Sequence, residues 1–383
     1  MMKSEIKSSQ LKISPDINSG PIIERGSLHA YFIYDVADTI DLLRLQNLGV
    51  SEFRQAQLQL KAVSSPSYIQ FAVPPLAADL PATEIMGLQV RPRIKFYDYG
   101  TVSIRLSFDY NGSWSGFGEL ARELKQSEQL AVISSQILQK TLTQAQPALN
   151  KEHDPLVEDY FVLEVESFGA ELTASDLLAN HKDALASLIL TETGPVTSIE
   201  GQDALKVIFS FLQTDLTIVH WDAAFVFDTR EGAEAVENIL EFANTQLVEL
   251  RTYDARLDAE LDRIYSWNIA REKPHWFLGH RKSEDRTDQL RNLLVDIREL
   301  SDRSNNALKI IGDAFYARLY RGIALRLGLN DWQQQIDSKL DSIGEIYRFV
   351  TDEAQHFRSQ FLEIIIIVLI VVEIIIGVLR VGR

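Results

Sequence analysis

Six polar residues crowd the short segment 244–254, and they are the best candidates for chemistry: Asn244, Gln246, Glu249, Arg251, Tyr253 and Asp254. In a helix, Arg251 and Asp254 are three residues apart and can form an ion pair, and Asn244 shares a face with Arg251. Such a group could form an active site or a receptor site, since paired ionisable groups can transfer protons. A buried polar network that fixes the helix on a sheet is the commoner use of these residues, and we predict that network here.

The tripeptide His220-Trp221-Asp222 is a second candidate for acid–base chemistry. The imidazole and the carboxylate can pair across a turn, as a general base and its orienting group do. No nucleophile accompanies them in the sequence. We therefore predict a structural turn with Trp221 packed beneath it.

Two further patterns resemble cofactor or metal sites only in part. Residues 116–121 fit G-x-G-x-x-A, but no βαβ unit is evident, and Glu119 and Glu123 would repel a pyrophosphate. His275 and His280 are five residues apart, whereas two histidines on one helix converge on a metal when they are three or four apart. The sequence therefore predicts no cofactor, no metal and no catalytic residue.

The bulk composition narrows the classes of function. The chain has 383 residues, a net charge of −16 and no cysteine. A strongly acidic surface repels a phosphate backbone, so no direct binding of nucleic acid is expected. The lack of cysteine rules out disulfides, thiolate nucleophiles and Cys-ligated metals, and it suits a reducing compartment. Residues 1–19 are polar without the apolar core of a signal peptide, so we expect a disordered tail over 1–24 and a cytoplasmic body.

Strand and helix patterns predict an α+β body in two halves, residues 25–150 and 151–280. Short runs of β-branched and aromatic residues recur in both halves. The first half also contains a predicted helix over 119–143, and the second contains a long one over 231–267. The polar stretch 147–159, with two prolines, is the predicted boundary.

The C-terminal part of the chain has the pattern of a helical hairpin that continues into a membrane segment. Apolar residues with four-three spacing within 281–360 predict an antiparallel, coiled-coil-like hairpin. Residues 361–379, FLEIIIIVLIVVEIIIGVL, are apolar on every side. Their length is close to the roughly 20 residues that span a bilayer. We therefore predict a single transmembrane helix, with a buried oligomerisation helix as the alternative.

Two acidic residues, Glu363 and Glu373, interrupt this segment. A central carboxylate costs about 2.5–3.5 kcal/mol on insertion scales, whereas the Ile, Leu and Val residues return roughly 4–8 kcal/mol together, so we predict insertion. Glu363 can reach the interface, while Glu373 should seek a polar partner on another helix. Leu319, Ile323 and Leu327 have no match within the hairpin. Both features predict a homo-oligomer, with a monomer whose stalk packs on its own body as the alternative.

Five stretches of the chain carry the motifs of one protein family: HAYFIYDVADTIDLLRL, FYDYGTVSI, DLTIVHWDAAFVFD, ILEFANTQLVELRTYDARLD and HFRSQFLEIIIIVLIVVEIIIGVL. Together they resemble the required-for-meiotic-nuclear-division proteins, a family with a domain of unknown function, over residues 28–379. The resemblance implies a C-terminal transmembrane helix and no assigned enzymatic activity. It also implies kinship with mitochondrial inner-membrane proteins that support organellar translation, in oligomers near the ribosome. His220, where an acidic residue is common, and the absent transit peptide predict a bacterial-type member.

The sequence thus predicts a membrane-anchored, oligomeric scaffold or adaptor that is not an enzyme and that, by resemblance, supports translation or ribosome association at the membrane. The alternative is a membrane-associated enzyme or small-molecule sensor with a site around Glu249 and Arg251. A deep pocket lined by ionisable residues would favour the alternative. A flat body with a self-complementary stalk would favour the scaffold.

Overall fold

The computed structural model describes residues 20–51, 61–62, 71, 73–192, 196–270, 295, 313–345, 366–367 and 369–370. The predictions that concern residues 1–19, His275, His280, Glu363 and Glu373 lie outside these ranges, as does most of the predicted hairpin. The chain divides into two compact units. Unit 1 comprises Met1–Thr252 and Arg303–Asn330, and unit 2 comprises Tyr253–Asp302 and Asp331–Arg383.

Unit 1 is built on one sheet that has ten strands in the described part of the chain. The strand order is β2-β3-β5-β6-β1-β7-β10-β9-β8, with β4 paired to β5. All the pairs are antiparallel except β7 with β10. The strands are β1 Ile23–Ile40, β2 Lys61–Ala62, β3 Leu76–Asp79, β4 Thr83–Ile85, β5 Leu88–Phe96, β6 Thr101–Gly112, β7 Leu149–Phe168, β8 Val207–Phe209, β9 Leu216–Val219 and β10 Ala223–Phe227.

The two halves predicted from sequence share this sheet. Strand β1 pairs with β6 from the first half and with β7 from the second. The predicted boundary at 147–159 lies largely within β7, so the structure differs from the prediction there. Polar side chains at the start of β7 point to solvent from a paired strand, and the composition of this stretch therefore resembled that of a linker.

The helices of unit 1 lie on both faces of the sheet because the strand residues alternate between the faces. Leu28, Ala30 and Phe32 of β1 belong to an apolar core shared with helices such as α2 and α5. The intervening residues His29 and Tyr31 point to the opposite face, where α7 lies. The helices, of which α7 continues into unit 2 after Thr252, are α1 Leu42–Ser51, α2 Trp114–Lys125, α3 Glu128–Ala145, α4 Ala174–Asn180, α5 Lys182–Ile189, α6 Ser198–Ala204, α7 Arg230–Ala270 and α8 Ala314–Arg326.

Two of these helices replace the single helix predicted over 119–143. The first, α2, begins earlier because the Ser113 side chain accepts a hydrogen bond from the Gly116 backbone N–H and caps it. It ends at Lys125, and α3 begins three residues later at Glu128. Gly116 and Gly118 therefore lie inside α2 and not in a loop before it. The long α7 spans the predicted helix 231–267.

Helix α8 corrects one premise of the predicted oligomer. Leu319 and Ile323 of α8, and Leu327 directly after it, are buried within unit 1 and need no second subunit to cover them. Phe315 at its start packs on Phe211, with ring centroids 5.3 Å apart. Gly322 lies so close to strand β8 that an added Cβ would be 2.3 Å from the Phe209 ring. Of the two features that predicted an oligomer, the lone Glu373 still favours one.

Unit 2 contains the C-terminal part of α7 and the helical residues 331–345. Lys339 Nζ lies 2.6 Å from a carboxylate oxygen of both Asp254 and Asp258. Ile336 and Leu340, which the four-three pattern placed on one stripe, are both buried.

No helix within the described ranges is both long and apolar enough to cross a bilayer. Of the segment 361–379 the structure describes only residues 366–367 and 369–370, which are helical. The transmembrane helix therefore stays a prediction.

Candidate functional site

A group of buried and half-buried polar side chains lies between the sheet and α7 in unit 1. We call it the inner cluster: His29 and Tyr31 on β1, Arg105 and Ser107 on β6, Glu164 on β7 and Glu237 on α7. The strand register creates it, because His29 is paired with Ser107 and Tyr31 with Arg105. Directly paired residues in a sheet point to the same face, so these four side chains all point towards α7.

His29 is the centre of the inner cluster. Its Nδ1 atom lies 2.9 Å from Ser107 Oγ. Its Nε2 atom lies 2.9 Å from Glu164 Oε2 and 3.1 Å from Glu237 Oε1. The His29 and Glu237 side chains are 7% and 5% exposed, so solvent does little to separate these groups. Two carboxylates therefore converge on one imidazole nitrogen.

The other oxygen of Glu237 is held by donors from the sheet. Tyr31 donates its hydroxyl hydrogen to Oε2 at 2.9 Å, and Arg105 Nη1 donates to the same atom at 2.8 Å. One helical turn further along α7, Lys95 forms an ion pair with Glu241 and also donates to Asn238 Oδ1 at 3.2 Å. This face of α7 therefore meets the sheet through charged groups.

The two carboxyl groups that face His29 have opposite electrostatic environments. Burial and the neighbouring Glu237 carboxylate raise the pKa of Glu164 above its usual value. Burial also acts to raise the pKa of Glu237, but His29 and Arg105 outweigh it and lower that pKa to about 2. Two nearby carboxyl groups with diverging pKa values are typical of sites that transfer protons or bind cations.

A cavity of about 930 Å³ opens onto the inner cluster. Its wall includes His29, Glu164 and Glu237 and is otherwise strongly charged, with seven carboxylates and five arginines in total. At the rim Arg91 forms an ion pair with Asp109, which is 68% exposed, so this part of the wall is accessible to solvent. The arginines are Arg25, Arg91, Arg93, Arg105 and Arg230.

The polar residues predicted from segment 244–254 do not line this cavity. Asn244 Nδ2 donates to the Leu240 carbonyl at 2.9 Å, and Gln246 Oε1 accepts a hydrogen bond from Tyr320. These two contacts have the character of the predicted structural network, because both tie α7 to its own backbone or to α8.

Arg251 and Asp254, which could pair by their spacing, each contact another residue in the structure. Arg251 forms an ion pair with Glu158 on β7. Asp254, which belongs to unit 2 with Tyr253, binds Lys339 and accepts a hydrogen bond from Gln335 at 3.1 Å. Glu249 is buried on α7 in unit 1. Spacing along one helix could not reveal these partners, because they come from distant strands and helices.

Residues 220–222 connect β9 to β10, and the tryptophan is not packed beneath this connection. Trp221 is 63% exposed, whereas His220 is buried. His220 Nδ1 lies 2.8 Å from Asp222 Oδ1, and Lys125 pairs with the other oxygen of Asp222. Burial acts to raise the pKa of Asp222, but hydrogen bonds from these two partners outweigh it and lower the pKa. The His220 imidazole and Lys125 thus both contact the Asp222 carboxylate, which has the character of a structural contact.

Comparison with known proteins places most of unit 1 in one family. The family described as "Uncharacterized protein MJ0711, N-terminal domain" matches residues 25–234. A relative from Methanocaldococcus jannaschii, uncharacterized protein MJ0711, is 24% identical over 204 residues, which is 53% of this chain. The match spans 62% of that relative's length, less than two thirds of it. No solved structure matches the chain.

The match covers five of the six residues of the inner cluster, and Glu237 follows three residues after its end. It also covers strands β1 to β10 almost completely, from Arg25 onwards. Because the match extends over more than half of the chain, this protein belongs to the MJ0711 N-terminal domain family.

Proposed function

We propose that unit 1 binds a small charged molecule in the cavity at the inner cluster, and that the protein acts as a membrane-anchored enzyme or small-molecule sensor. The single observation that carries the proposal is the cavity of about 930 Å³, whose inner wall is formed by buried and half-buried ionisable groups. An enzyme or sensor of this kind was the alternative function that the sequence suggested, with a site around Glu249 and Arg251. We propose the inner cluster as the site instead.

Burying charged groups away from water is energetically unfavourable. An ion pair removed from water is often no more stable than apolar residues of the same size, so stability alone does not require His29, Glu164 and Glu237 where the sheet meets α7. The same groups beside an open cavity can contact a ligand. Both signs of charge line the wall, so the ligand we expect carries both cationic and anionic groups.

Thermal-shift screening of the full-length protein in mild detergent against a library of small charged metabolites tests this proposal. We expect at least one compound to raise the melting temperature, and Arg93→Gln at the cavity wall to weaken that shift. Arg44→Gln on the exposed side of α1 removes the same charge away from the cavity and should leave the shift unchanged. If no compound stabilises the protein, or if both variants behave alike, the proposal fails.

A scaffold that supports translation at the membrane is the second proposal. It rests on the resemblance to the required-for-meiotic-nuclear-division proteins, and the specific observation that favours it is Trp221, which is 63% exposed within one of the motifs. Exposed aromatic residues are enriched where proteins bind each other. Crosslinking in native membranes should capture a ribosomal or other protein partner, and Trp221→Ala should reduce its yield. If Trp221→Ala leaves the yield of crosslinked partner unchanged, Trp221 no longer supports this proposal.

Membrane attachment through 361–379 and self-association are parts of both proposals. Their support is the apolar character of that segment on every side, together with the lone Glu373 within it.

A further inference from the structure

We propose that His29, Glu164 and Glu237 form a binding site for one divalent transition-metal ion at the inner wall of the cavity. This inference deepens the proposed cavity function, because it names the cofactor of that site. It stands on the positions of three ligand atoms, on the partners that hold them, and on the open space in front of them.

The three ligand atoms are spaced as a metal requires. One atom from each residue can be chosen so that all three lie within 4.8 Å of one another. The distances from His29 Nε2 are 2.9 Å to Glu164 Oε2 and 3.1 Å to Glu237 Oε1. Two ligands at right angles with bonds of about 2.1 Å are separated by roughly 3.0 Å, so these distances match neighbouring positions around one ion.

In His29 and Glu237, the nitrogen or oxygen atom that does not face the proposed ion contacts a neighbouring side chain. Ser107 Oγ lies 2.9 Å from His29 Nδ1 and can accept its hydrogen, which leaves Nε2 free to bind a metal. Tyr31 and Arg105 occupy Glu237 Oε2 at 2.9 Å and 2.8 Å. Outer partners of this kind orient metal ligands in known sites.

Glu237 Oε1 is a buried oxygen of the site that accepts no hydrogen bond of good geometry, although His29 Nε2 lies 3.1 Å away. It faces Glu164 Oε2 and His29 Nε2, so atoms that bear lone pairs converge on one point. A cation at that point would satisfy all of them, whereas an apolar packing role would leave this oxygen unsatisfied.

The ligand set indicates the class of ion. One imidazole and two carboxylates suit Mn²⁺, Fe²⁺ or Zn²⁺, whereas Mg²⁺ and Ca²⁺ prefer oxygen ligands alone. Three protein ligands on one side leave the remaining positions open to the cavity, as in metal sites that bind water or substrate. An ion there would give a charged ligand in the cavity a direct contact.

Metal binding by the full-length protein in mild detergent tests the proposal. After treatment with a chelator and dialysis, the protein should bind one Mn²⁺ or Zn²⁺ per chain by isothermal titration and elemental analysis. Co²⁺ should give visible absorption bands, whose intensity reports the coordination number and geometry of the site. A wild-type protein that binds none of these three ions would overturn the inference, whatever the variants do.

Matched variants locate the site. Glu164→Gln keeps the size of the side chain and should weaken binding by about 100-fold or more, while Ser107→Ala should weaken it about 10-fold to 100-fold through His29. Glu166→Gln is the control, because Glu166 also lines the cavity from β7 but lies outside the three ligands. Equal loss in both glutamine variants, with each folded by circular dichroism, would place the metal elsewhere and refute the assignment.

The metal inference and the cavity proposal can fail separately. If small charged molecules stabilise the protein equally before and after chelation, and no ion binds, the cavity proposal holds and the metal inference falls. If one ion binds at the three ligands but no small molecule shifts the melting temperature, the metal inference holds and the cavity proposal falls.

Discussion

Removal of the Glu241 carboxylate should destabilise unit 1 strongly, because it leaves a buried ammonium group without its ion-pair partner. The Lys95 side chain is 9% exposed and that of Glu241 is 5% exposed. Breaking a buried pair on one side costs about 3–5 kcal/mol. Lys95 also donates to Asn238 at 3.2 Å, so we expect Glu241→Ala to fall near the lower end of this range.

The assay is thermal unfolding of the full-length protein followed by tryptophan fluorescence. For a domain of this size each kcal/mol shifts the melting temperature by about 2–4 °C, so Glu241→Ala should lower it by roughly 6–12 °C. The double variant Lys95→Met with Glu241→Leu replaces both charges with apolar groups of similar size. It should be close to the wild type, because buried ion pairs are often no better than apolar packing.

The comparison between the single and double variants decides the argument. If Glu241→Ala lowers the melting temperature by less than 2 °C, the pair is not desolvated as the structure indicates. If the double variant is as unstable as the single one, the loss arises from packing and the electrostatic argument is refuted.

Three further predictions concern other parts of the chain. Gly322→Ala in α8 should lower the free energy of unfolding by about 1–3 kcal/mol, measured by urea unfolding, because the new Cβ would meet the Phe209 ring. This loss should exceed the gain from the higher helix propensity of alanine, and unchanged stability would contradict the close contact. Burial acts to raise the pKa of Asp222, but its hydrogen bonds outweigh burial and lower that pKa. The Asp222 carboxylate therefore stabilises the folded state fully above its unfolded pKa of about 3.9, and this stabilisation is lost as the pH falls through the folded pKa. Asp222→Asn should therefore lose less stability below pH 4 than the wild type in a pH series of melting temperatures, and parallel curves would refute this. Deletion of residues 361–383 should release the protein from membranes on fractionation, and a retained truncated protein would place the anchor elsewhere.

Local patterns predicted the elements of unit 1 better than their assembly. The apolar stripe of α7 is visible in the sequence, and the predicted helix 231–267 lies within Arg230–Ala270. The pairing of β1 with β7 is not visible, because no local signal connects residue 28 with residue 163. The polar start of β7 resembled a linker because a strand can be paired in a sheet and still expose one face to water.

The inner cluster was missed because its residues come from four elements. His29 and Tyr31 alternate with apolar residues in β1, and Arg105 with Ser107 does so in β6, which is the period of a strand with one polar face. That pattern indicated a polar face but not what covers it. Only the fold places Glu237 of α7 above those strands. The sequence instead indicated segment 244–254 as the candidate site, because its polar residues are close together along the chain.

The position of β1 has a consequence for folding as the chain is synthesised. This strand lies in the middle of the sheet and pairs along most of its length with β7, whose residues extend from Leu149 to Phe168. Each of those contacts closes a loop of more than 100 residues, and sheets with such distant pairings fold slowly. During translation β6 emerges before β7, so one edge of β1 can pair early, while the edge that pairs with β7 stays open to chaperones or to aggregation until β7 has emerged. Translation pauses placed after β7 should therefore improve the yield of folded protein, whereas pauses before it should not.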